Sequence, residues 1–328
     1  MFDVWLPLVG GFVLLVVGGD LLVRGAVQVA SRFGVSPLVI GLTLVGFGTS
    51  TPELVTSVQA ALIGAPGIAY GNIVGSNIAN ILLILGISAI LYPMAIASTA
   101  LRRDGAVMVA VAVLFTTVAA TMPMERWLGV VFILALVVYV YIAFRQESLA
   151  NTKPDHGAIY DKSVALQSVD PGTVPPTEPS GSIITPLLIT VGGLALVVLG
   201  GTFLVDGAVA LARSYGISET VTGLTIVAVG TSLPELITSV FAAIRKQADV
   251  AFGNIVGSNI YNILFIGGAT AVIAPGEVPA EIASFDNLVM VGVSVLIVVF
   301  AWTGLRISRW EGAALFAGYL GYLYVLWP

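Results

Sequence analysis

Two glutamates in strongly apolar surroundings are the residues whose setting most clearly indicates chemistry. Glu53 lies in "GTSTPEL" (48–54) and Glu235 lies in "GTSLPEL" (230–236). An ionised carboxylate at the centre of a bilayer costs at least ~2.5 kcal/mol by insertion scales, and two carboxylates close together also repel each other. A divalent cation between the two side chains would neutralise both. The pattern therefore predicts a buried cation site.

Neutral oxygens flank both glutamates. Pro52 and Pro234 each remove a backbone donor and clash with the carbonyl four residues earlier, so each helix should kink or split there. Carbonyls freed at membrane depth must line a cavity or lie inside protein, where a cation can supply a partner. Calcium takes roughly 6–8 oxygens in irregular geometry, whereas magnesium fits a dehydrated cage less well. The predicted neutral ligands are the hydroxyls of Thr49, Ser50, Thr231 and Ser232 and the carbonyls of Gly46 and Ala228.

A second polar motif, "GNIVGSN", follows each glutamate. Ser76 and Asn80 are four residues apart and share one helical face, and Ser258 and Asn262 repeat this spacing. These faces can turn toward the facing glutamate and add side-chain oxygens. Two structural alternatives remain open at this point. The Gly-x-x-x-Gly spacing is also typical of a helix packing seam, and membrane hydroxyls often bond to their own helix.

The composition indicates what kind of protein must position these residues. The 328-residue chain is 58% hydrophobic and 9% charged, whereas a soluble domain is about 45–50% apolar and about 25% charged. We therefore expect an all-α polytopic membrane protein with lipid around it. The chain has no cysteine, and its one histidine, His156, lies in a polar segment. Thiolate and histidine metal sites and serine–histidine catalysis are thereby excluded, and we predict neither an enzyme nor a cofactor nor nucleic-acid binding.

Ten segments are predicted to cross the membrane. They divide the chain into a first half over 1–144, a polar and mobile linker over 145–183, and a second half over 184–328. The predicted spans are 5–30, 37–63, 68–92, 105–122, 127–144, 184–211, 219–244, 249–274, 287–304 and 310–327.

The basic residues predict an orientation for these spans. Eleven of the 13 Lys and Arg residues, Lys162 of the linker among them, fall in the connections from odd to even spans. Only Arg126 and Arg213 fall on the other side. Because cytoplasmic loops carry an excess of Lys and Arg, the linker should be cytoplasmic and both termini should lie outside.

The two halves are copies of one another. A shift of 182 residues superposes the motif region 41–82 on 223–264, with 27 of 42 positions identical and no gap. Each half has an odd number of spans, so the second copy must run through the membrane in the opposite sense. Inverted repeats of this kind are common in secondary transporters, where the substrate site lies at the midplane between the copies. Asp104 and Asp286 also coincide under the shift, and we interpret both as helix N-caps.

The two motifs closely resemble the α-repeats of the cation/calcium exchanger superfamily, and the sodium/calcium exchanger branch with its prokaryotic members matches best. The resemblance implies calcium extrusion driven by sodium entry, by alternating access in the plasma membrane. It implies that Glu53 and Glu235 bind calcium and sodium in turn, together with the motif residues named above. It also implies that the first and sixth helices slide against a core bundle, with the glycine-rich runs near Gly18 and Gly200 facing that bundle.

One position departs from part of this superfamily. Asn262 stands where several relatives, notably those of the potassium-dependent branch, carry aspartate. The site then holds two formal charges rather than three, and by resemblance this argues against potassium cotransport. Two other functions stay open at this stage. Protons could replace sodium at the glutamates in a calcium/proton exchanger, and broken helices with carboxylates also suit a passive cation channel.

Overall fold

The computed structural model describes residues 2–95, 99–149, 156–176, 182–304 and 306–327. Apart from its connecting loops, the described chain is helical and has two short antiparallel strands, β1 (Met94–Ala95) and β2 (Arg306–Ile307). Seven of its helices are long and apolar enough to cross a membrane, and nine spans result if each of two bent helix pairs counts as one. The exact count of ten stays a prediction.

The helices follow the predicted spans closely. Both predicted interruptions at Pro52 and Pro234 are present as bends between paired helices. The helices are α1 (Phe2–Arg32), α2 (Pro37–Gly48), α3 (Thr51–Leu62), α4 (Pro66–Leu91), α5 (Thr99–Thr121), α6 (Arg126–Leu149), α7 (Ala158–Val169), α8 (Ile184–Tyr215), α9 (Glu219–Thr231), α10 (Leu233–Ile244), α11 (Ala248–Ile273), α12 (Asn287–Gly304) and α13 (Arg309–Leu326).

The bends repeat in the two copies. Helices α2 and α3 meet at 52°, and α9 and α10 meet at 49°. In both pairs the proline lies in the first turn of the second helix, where its missing N–H would have no helical partner in any case. Wider π-helical stretches also recur at the 182-residue offset, at Gly41–Val45 and Gly223–Val227 and again at Asn80–Leu85 and Asn262–Gly267.

Helices α4 and α11 form the centre of the molecule. Their membrane-length windows are 83% and 89% buried, whereas α1 and α8 are 33% buried and expose most of their surface. Both central helices carry the "GNIVGSN" motif. The polar motifs are therefore held inside protein rather than against lipid.

Helices α1 and α8 pack closely on each other through glycines. A methyl group at Gly18 would lie 2.7 Å from the Val197 backbone nitrogen, and one at Gly200 would lie 2.7 Å from that of Leu15. Small residues allow such backbone contact between membrane helices. Gly18 and Gly200 themselves do not face the core bundle as expected, because they pack the two long helices on each other. Gly201, in the same run as Gly200, does face that bundle, since a methyl group there would lie 2.6 Å from Val55 Cγ1 of α3.

We expect Gly18→Val to destabilise the packing of α1 on α8. The added atoms would clash with backbone atoms of α8, which cannot move aside as a side chain can. Overpacking of this kind costs about 1–3 kcal/mol. Gly19→Val is the matched control, since nothing lies within 4 Å of a methyl group at that position. Melting temperatures of the two purified variants in detergent test the contrast. Equal melting temperatures would contradict this packing.

The predicted linker contains an ordered helix. Helix α7 occupies Ala158–Val169, and its residues Ile159, Lys162 and Ala165 are buried. The expectation of a mobile linker was wrong for this part of the chain. The physical reason is that residues 158–169 contain neither proline nor glycine and present several apolar residues that can be buried. Residues 150–155, with Lys153, lie outside the described residues.

Asp104 and Asp286 do not cap their own helices, so that interpretation was wrong. Asp104 lies within α5, and its Oδ2 accepts a hydrogen bond from the Ala158 backbone N–H at 2.7 Å, at the start of α7. Asp286 lies in a π-helical turn before α12 and accepts a hydrogen bond from the Tyr322 hydroxyl at 2.8 Å.

Candidate cation site

The two glutamates are linked crosswise by serines of the opposite copy. Ser50 donates to Glu235 Oε1 at 3.2 Å, and Ser232 donates to Glu53 Oε1 at 3.0 Å. Both glutamates are 1% exposed. The fold thus brings the two motifs, 182 residues apart in sequence, into one buried cluster.

The bends explain this geometry. Ser50 and Ser232 have similar backbone angles outside the ordinary helical values, at the junctions α2–α3 and α9–α10. Glu53 and Glu235 follow in the first turns of α3 and α10. The N-terminus of a helix carries partial positive charge, which favours a carboxylate there. Each helix break therefore frees backbone polar groups from helical hydrogen bonding. It also lowers the cost of burying the glutamate that follows.

Asparagines of α4 and α11 support each broken helix from behind. Asn72 Nδ2 donates to the Glu53 carbonyl at 3.1 Å and to Ser57 Oγ at 2.9 Å. Asn254 Nδ2 repeats the arrangement with the Glu235 carbonyl at 3.4 Å and Ser239 Oγ at 2.8 Å. Sequence analysis missed both residues. The available signal was their occurrence at equivalent places in the duplicated "GNIVGSN".

We expect Asn72→Ala to lower both stability and cation affinity. The change removes the bonds to Ser57 and to the Glu53 carbonyl, together with the one that Asn72 Oδ1 accepts from Thr231 at 2.9 Å. Leaving buried polar groups unsatisfied costs about 1–3 kcal/mol. A matched experiment compares Asn72→Ala with Ser284→Ala, a change at an exposed serine, by melting temperature and by calcium binding. An unchanged Asn72→Ala protein would show that this support is dispensable.

Three more predicted ligands lie in the cluster. Ser76 Oγ donates to the Ala228 carbonyl at 3.4 Å, and Thr231 Oγ1 reaches the same carbonyl at 3.3 Å. Ser258 Oγ lies 3.5 Å from Glu235 Oε1. The carbonyl of Ala228 therefore lies among these polar groups, and its role as an ion ligand stays a prediction.

The structure does not connect the remaining predicted ligands to the glutamates. Asn80 Nδ2 donates to Asn259 Oδ1 at 2.9 Å. Asn262 and Gly46 are buried, and a methyl group at Gly46 would lie 3.3 Å from the Tyr261 hydroxyl. Among the described residues, no recorded hydrogen bond links these three positions to Glu53 or Glu235. Their role as ligands stays a prediction, as does that of every other residue assigned to the site.

A lysine that sequence analysis assigned only to the polar linker lies in the cluster. The Lys162 ammonium donates to Thr49 Oγ1 at 2.7 Å, to Ser50 Oγ at 3.3 Å and to Glu235 Oε1 at 3.4 Å. It also makes a short contact with Ser258 Oγ. The side chain is 0% exposed. The only signal in the sequence was a helix-compatible stretch around a lysine between two membrane domains.

Several oxygens of the cluster lack a hydrogen-bond partner within the described part of the chain. They include Glu53 Oε2 and Glu235 Oε2. A buried acceptor without a partner is costly, and hard cations such as calcium and sodium prefer oxygen. No group of three or more His, Cys, Asp or Glu side chains able to hold a metal occurs among the described residues. A cation here would therefore depend on two carboxylates plus neutral oxygens.

Comparison with known proteins places this helical fold and its duplicated motif in a family. A protein-family model described as "Sodium/calcium exchanger protein" matches residues 4–145 and 185–327. The chain belongs to the sodium/calcium exchanger family, whose members are membrane transporters. Helix α7 lies between the two matched ranges.

Individual relatives match along almost the whole chain. The sodium/calcium exchanger MaX1 of Methanosarcina acetivorans is 35% identical over 345 residues, with 98% of each chain covered. The putative antiporter CaxA of Alkalimonas amylolytica is 36% identical over 323 residues, with 96% of each chain covered. A solved structure of the sodium-calcium exchanger NCX_Mj, soaked with 10 mM Na⁺ and zero Ca²⁺, is 31% identical and superposes with a TM-score of 0.62 over 98% of each chain.

Proposed function

We propose that this protein exchanges calcium for sodium by alternating access, with both ions bound in turn between Glu53 and Glu235. The observation that carries the proposal is the crosswise pairing of each glutamate with a serine of the other copy. It gathers two carboxylates and several neutral oxygens inside protein. The sodium/calcium exchange named for MaX1 and NCX_Mj supports the choice of ions.

Exchange follows from competition for one set of oxygens. Calcium cancels the charge of both glutamates, and sodium ions can do so with the same carboxylates and neighbouring hydroxyls. Without an ion the two charges lie in low dielectric without full compensation, so crossing the membrane empty is disfavoured. Loading the site then shifts the balance between outward-facing and inward-facing states through its different affinity in each.

The inverted repeat belongs to the same proposal. In it, ten spans form two five-helix repeats with the ion site at the midplane, in the plasma membrane, with the linker in the cytoplasm and both termini outside. The recurrence of bends, π-helical stretches and asparagine contacts at a 182-residue offset supports this arrangement. The uncharged Asn262 favours sodium without potassium.

The test is uptake of calcium-45 into proteoliposomes with an imposed gradient of sodium, potassium or protons. We expect uptake to require a sodium gradient of the correct direction. Uptake driven by a pH gradient alone would replace the proposal with calcium/proton exchange. Uptake without any counter-ion, together with single-channel currents, would replace it with a passive channel.

A further inference from the structure

The Lys162 ammonium takes the place of a cation among the predicted ligands. Four oxygens lie within hydrogen-bond distance of its three N–H groups, on Thr49, Ser50, Glu235 and Ser258, and all belong to residues assigned to ion binding. An oxygen that accepts a hydrogen bond from the ammonium cannot offer the same lone pair to calcium. The ammonium also brings one positive charge against two carboxylates. It therefore compensates the pair only in part.

Helix α7 is anchored at its N-terminus by acidic side chains from two neighbouring helices. Asp104 of α5 accepts from the Ala158 N–H at 2.7 Å, and Glu147 of α6 accepts from the Gly157 N–H at 2.9 Å. These N–H groups would otherwise have no partner in the helix, and negative charge is favoured at this end. The first turn of α7 is thus held by the first half of the chain.

Basic side chains hold the opposite end. Arg245 donates to the Ser168 carbonyl in the last turn of α7 at 2.7 Å. Arg24 of α1 pairs with Asp170, the residue that follows the helix, at 2.9 Å. Positive charge is favoured at a helix C-terminus. Both ends of α7 therefore contact side chains of favourable charge. We call this arrangement of α1, α5, α6 and Arg245 around the helix the α7 binding groove.

The presence of α7 makes the packing of the two sequence repeats different. Gly71 and Gly75 of α4 pack directly on α9, since methyl groups there would lie 2.9 Å from the Leu224 nitrogen and 2.5 Å from its oxygen. The equivalent glycines of α11, Gly253 and Gly257, face α7 instead. Methyl groups at these positions would lie 2.4 Å from Asp161 Cβ and 3.3 Å from Lys162 Cδ.

The other face of α7 lies against α2. A methyl group at Gly41 would lie 3.3 Å from Ser163 Oγ, and one at Gly48 would lie 3.2 Å from a methyl carbon of Leu166. Gly41 is the counterpart of Gly223, whose added methyl group would lie 2.7 Å from the Gly67 carbonyl oxygen of α4. In one repeat pair, α9 packs directly on α4. In the equivalent pair, α2 and α11, helix α7 lies between the two helices.

We propose that α7 is a displaceable plug and that Lys162 is its tethered cation, competing with calcium and sodium for the site from the linker side of the membrane. The inference rests on the proposed function, because the displaced ions are the ones that the exchanger carries. In the plugged state α7 keeps α2 away from α11, and the ammonium replaces a transported ion. Calcium binding releases α7, because a doubly charged ion compensates both glutamates and the lysine compensates one.

The first experiment measures equilibrium binding of calcium-45 to the purified full-length protein in sodium-free buffer. We expect Lys162→Met to bind calcium about tenfold more tightly than wild type, the effect of removing a competitor that occupies roughly nine molecules in ten. Lys246→Met is the matched control, because Lys246 is an exposed lysine outside α7. Its affinity should equal that of wild type.

A second variant keeps the lysine and loosens its anchor. Arg24→Ala combined with Arg245→Ala removes the contacts at the C-terminal end of α7, and we expect calcium binding to tighten in the same direction as in Lys162→Met but less. This variant preserves every predicted ion ligand. Weaker binding in both Lys162→Met and the double variant would contradict competition and would make α7 a support of the site.

The third measurement follows α7 directly. The chain contains no cysteine, so Ser163→Cys creates a single thiol at a position that is 4% exposed. We expect saturating calcium to accelerate its reaction with a soluble maleimide about tenfold, by the same competition. Ser182→Cys, at an exposed position, should react at one rate with and without calcium.

The outcomes separate this inference from the proposed function. If calcium binds with equal affinity to wild type and Lys162→Met, and labelling of Ser163→Cys does not respond to calcium, the plug is wrong while calcium binding stands. If calcium binds to neither protein, the proposed function fails and the plug fails with it.

Discussion

Replacing either Glu53 or Glu235 with glutamine is expected to abolish calcium flux in proteoliposomes. Glutamine keeps the shape of the side chain and removes one of the two negative charges that compensate the divalent ion. Leaving a buried charge without its partner costs about 3–5 kcal/mol, which corresponds to roughly 10²–10⁴-fold in affinity. Initial rates of calcium-45 uptake driven by a sodium gradient measure the effect.

The matched control for both changes is Glu277→Gln, at an exposed glutamate, which should transport as wild type does. The two site variants should also differ from each other. Glu235 accepts from Lys162, whereas Glu53 accepts from Ser232. Only Glu235→Gln should therefore loosen α7 and increase labelling of a cysteine at position 163. Normal flux from both glutamine variants would end the assignment of the site.

The second large effect is expected from Gly75→Ala, which should destabilise the protein and impair transport far more than Gly257→Ala. The two glycines are equivalent in the repeat, but their neighbours differ. A methyl group at Gly75 would lie 2.5 Å from the Leu224 backbone oxygen, so α4 and α9 must separate. One at Gly257 would lie 3.2 Å from the Ala158 oxygen and 3.3 Å from the flexible Lys162 stem.

Overpacking against rigid backbone costs about 1–3 kcal/mol. At Gly257 both contacts lie beyond 3 Å, so the neighbours need to shift less and the cost should be lower. Melting temperature in detergent and sodium-driven calcium uptake, measured in parallel on both alanine variants, test the asymmetry. A control at Gly292, where a methyl group would meet nothing within 4 Å, should behave as wild type. Equal damage at positions 75 and 257 would mean that both glycines face equally rigid neighbours.

Most of the helices and both of their breaks could be predicted from the sequence, whereas helix α7 could not. Pro52 and Pro234 act on their own backbone, so the broken helices follow from local chemistry. The duplicated motif then predicted Glu53 and Glu235 as the ion-binding pair, because two carboxylates at equivalent apolar positions have no simpler explanation than a shared partner. The hydroxyls of Ser50 and Ser232 were predicted for the same reason, and the structure brings each to the opposite glutamate.

Which helix surfaces meet could not be predicted, because it depends on packing between segments that are distant in the chain. A glycine-rich face indicates close packing without naming the partner, so Gly18 and Gly200 were expected to face the core bundle when they join α1 to α8. The support from Asn72 and Asn254 likewise depends on contacts between helices that no local pattern encodes.

Lys162 shows the same limit most clearly. In the sequence it is one base in a segment that is polar overall. Its apolar neighbours are compatible with a buried helix, but nothing local indicates that its charge would lie beside a glutamate. The fold places its ammonium 3.4 Å from Glu235 Oε1. It does so because both ends of α7 are held by contacts with Asp104, Glu147, Arg24 and Arg245. These residues come from four distant segments. The asymmetry of the two copies is therefore a property of their packing, whereas the repeated sequence specifies only what they share.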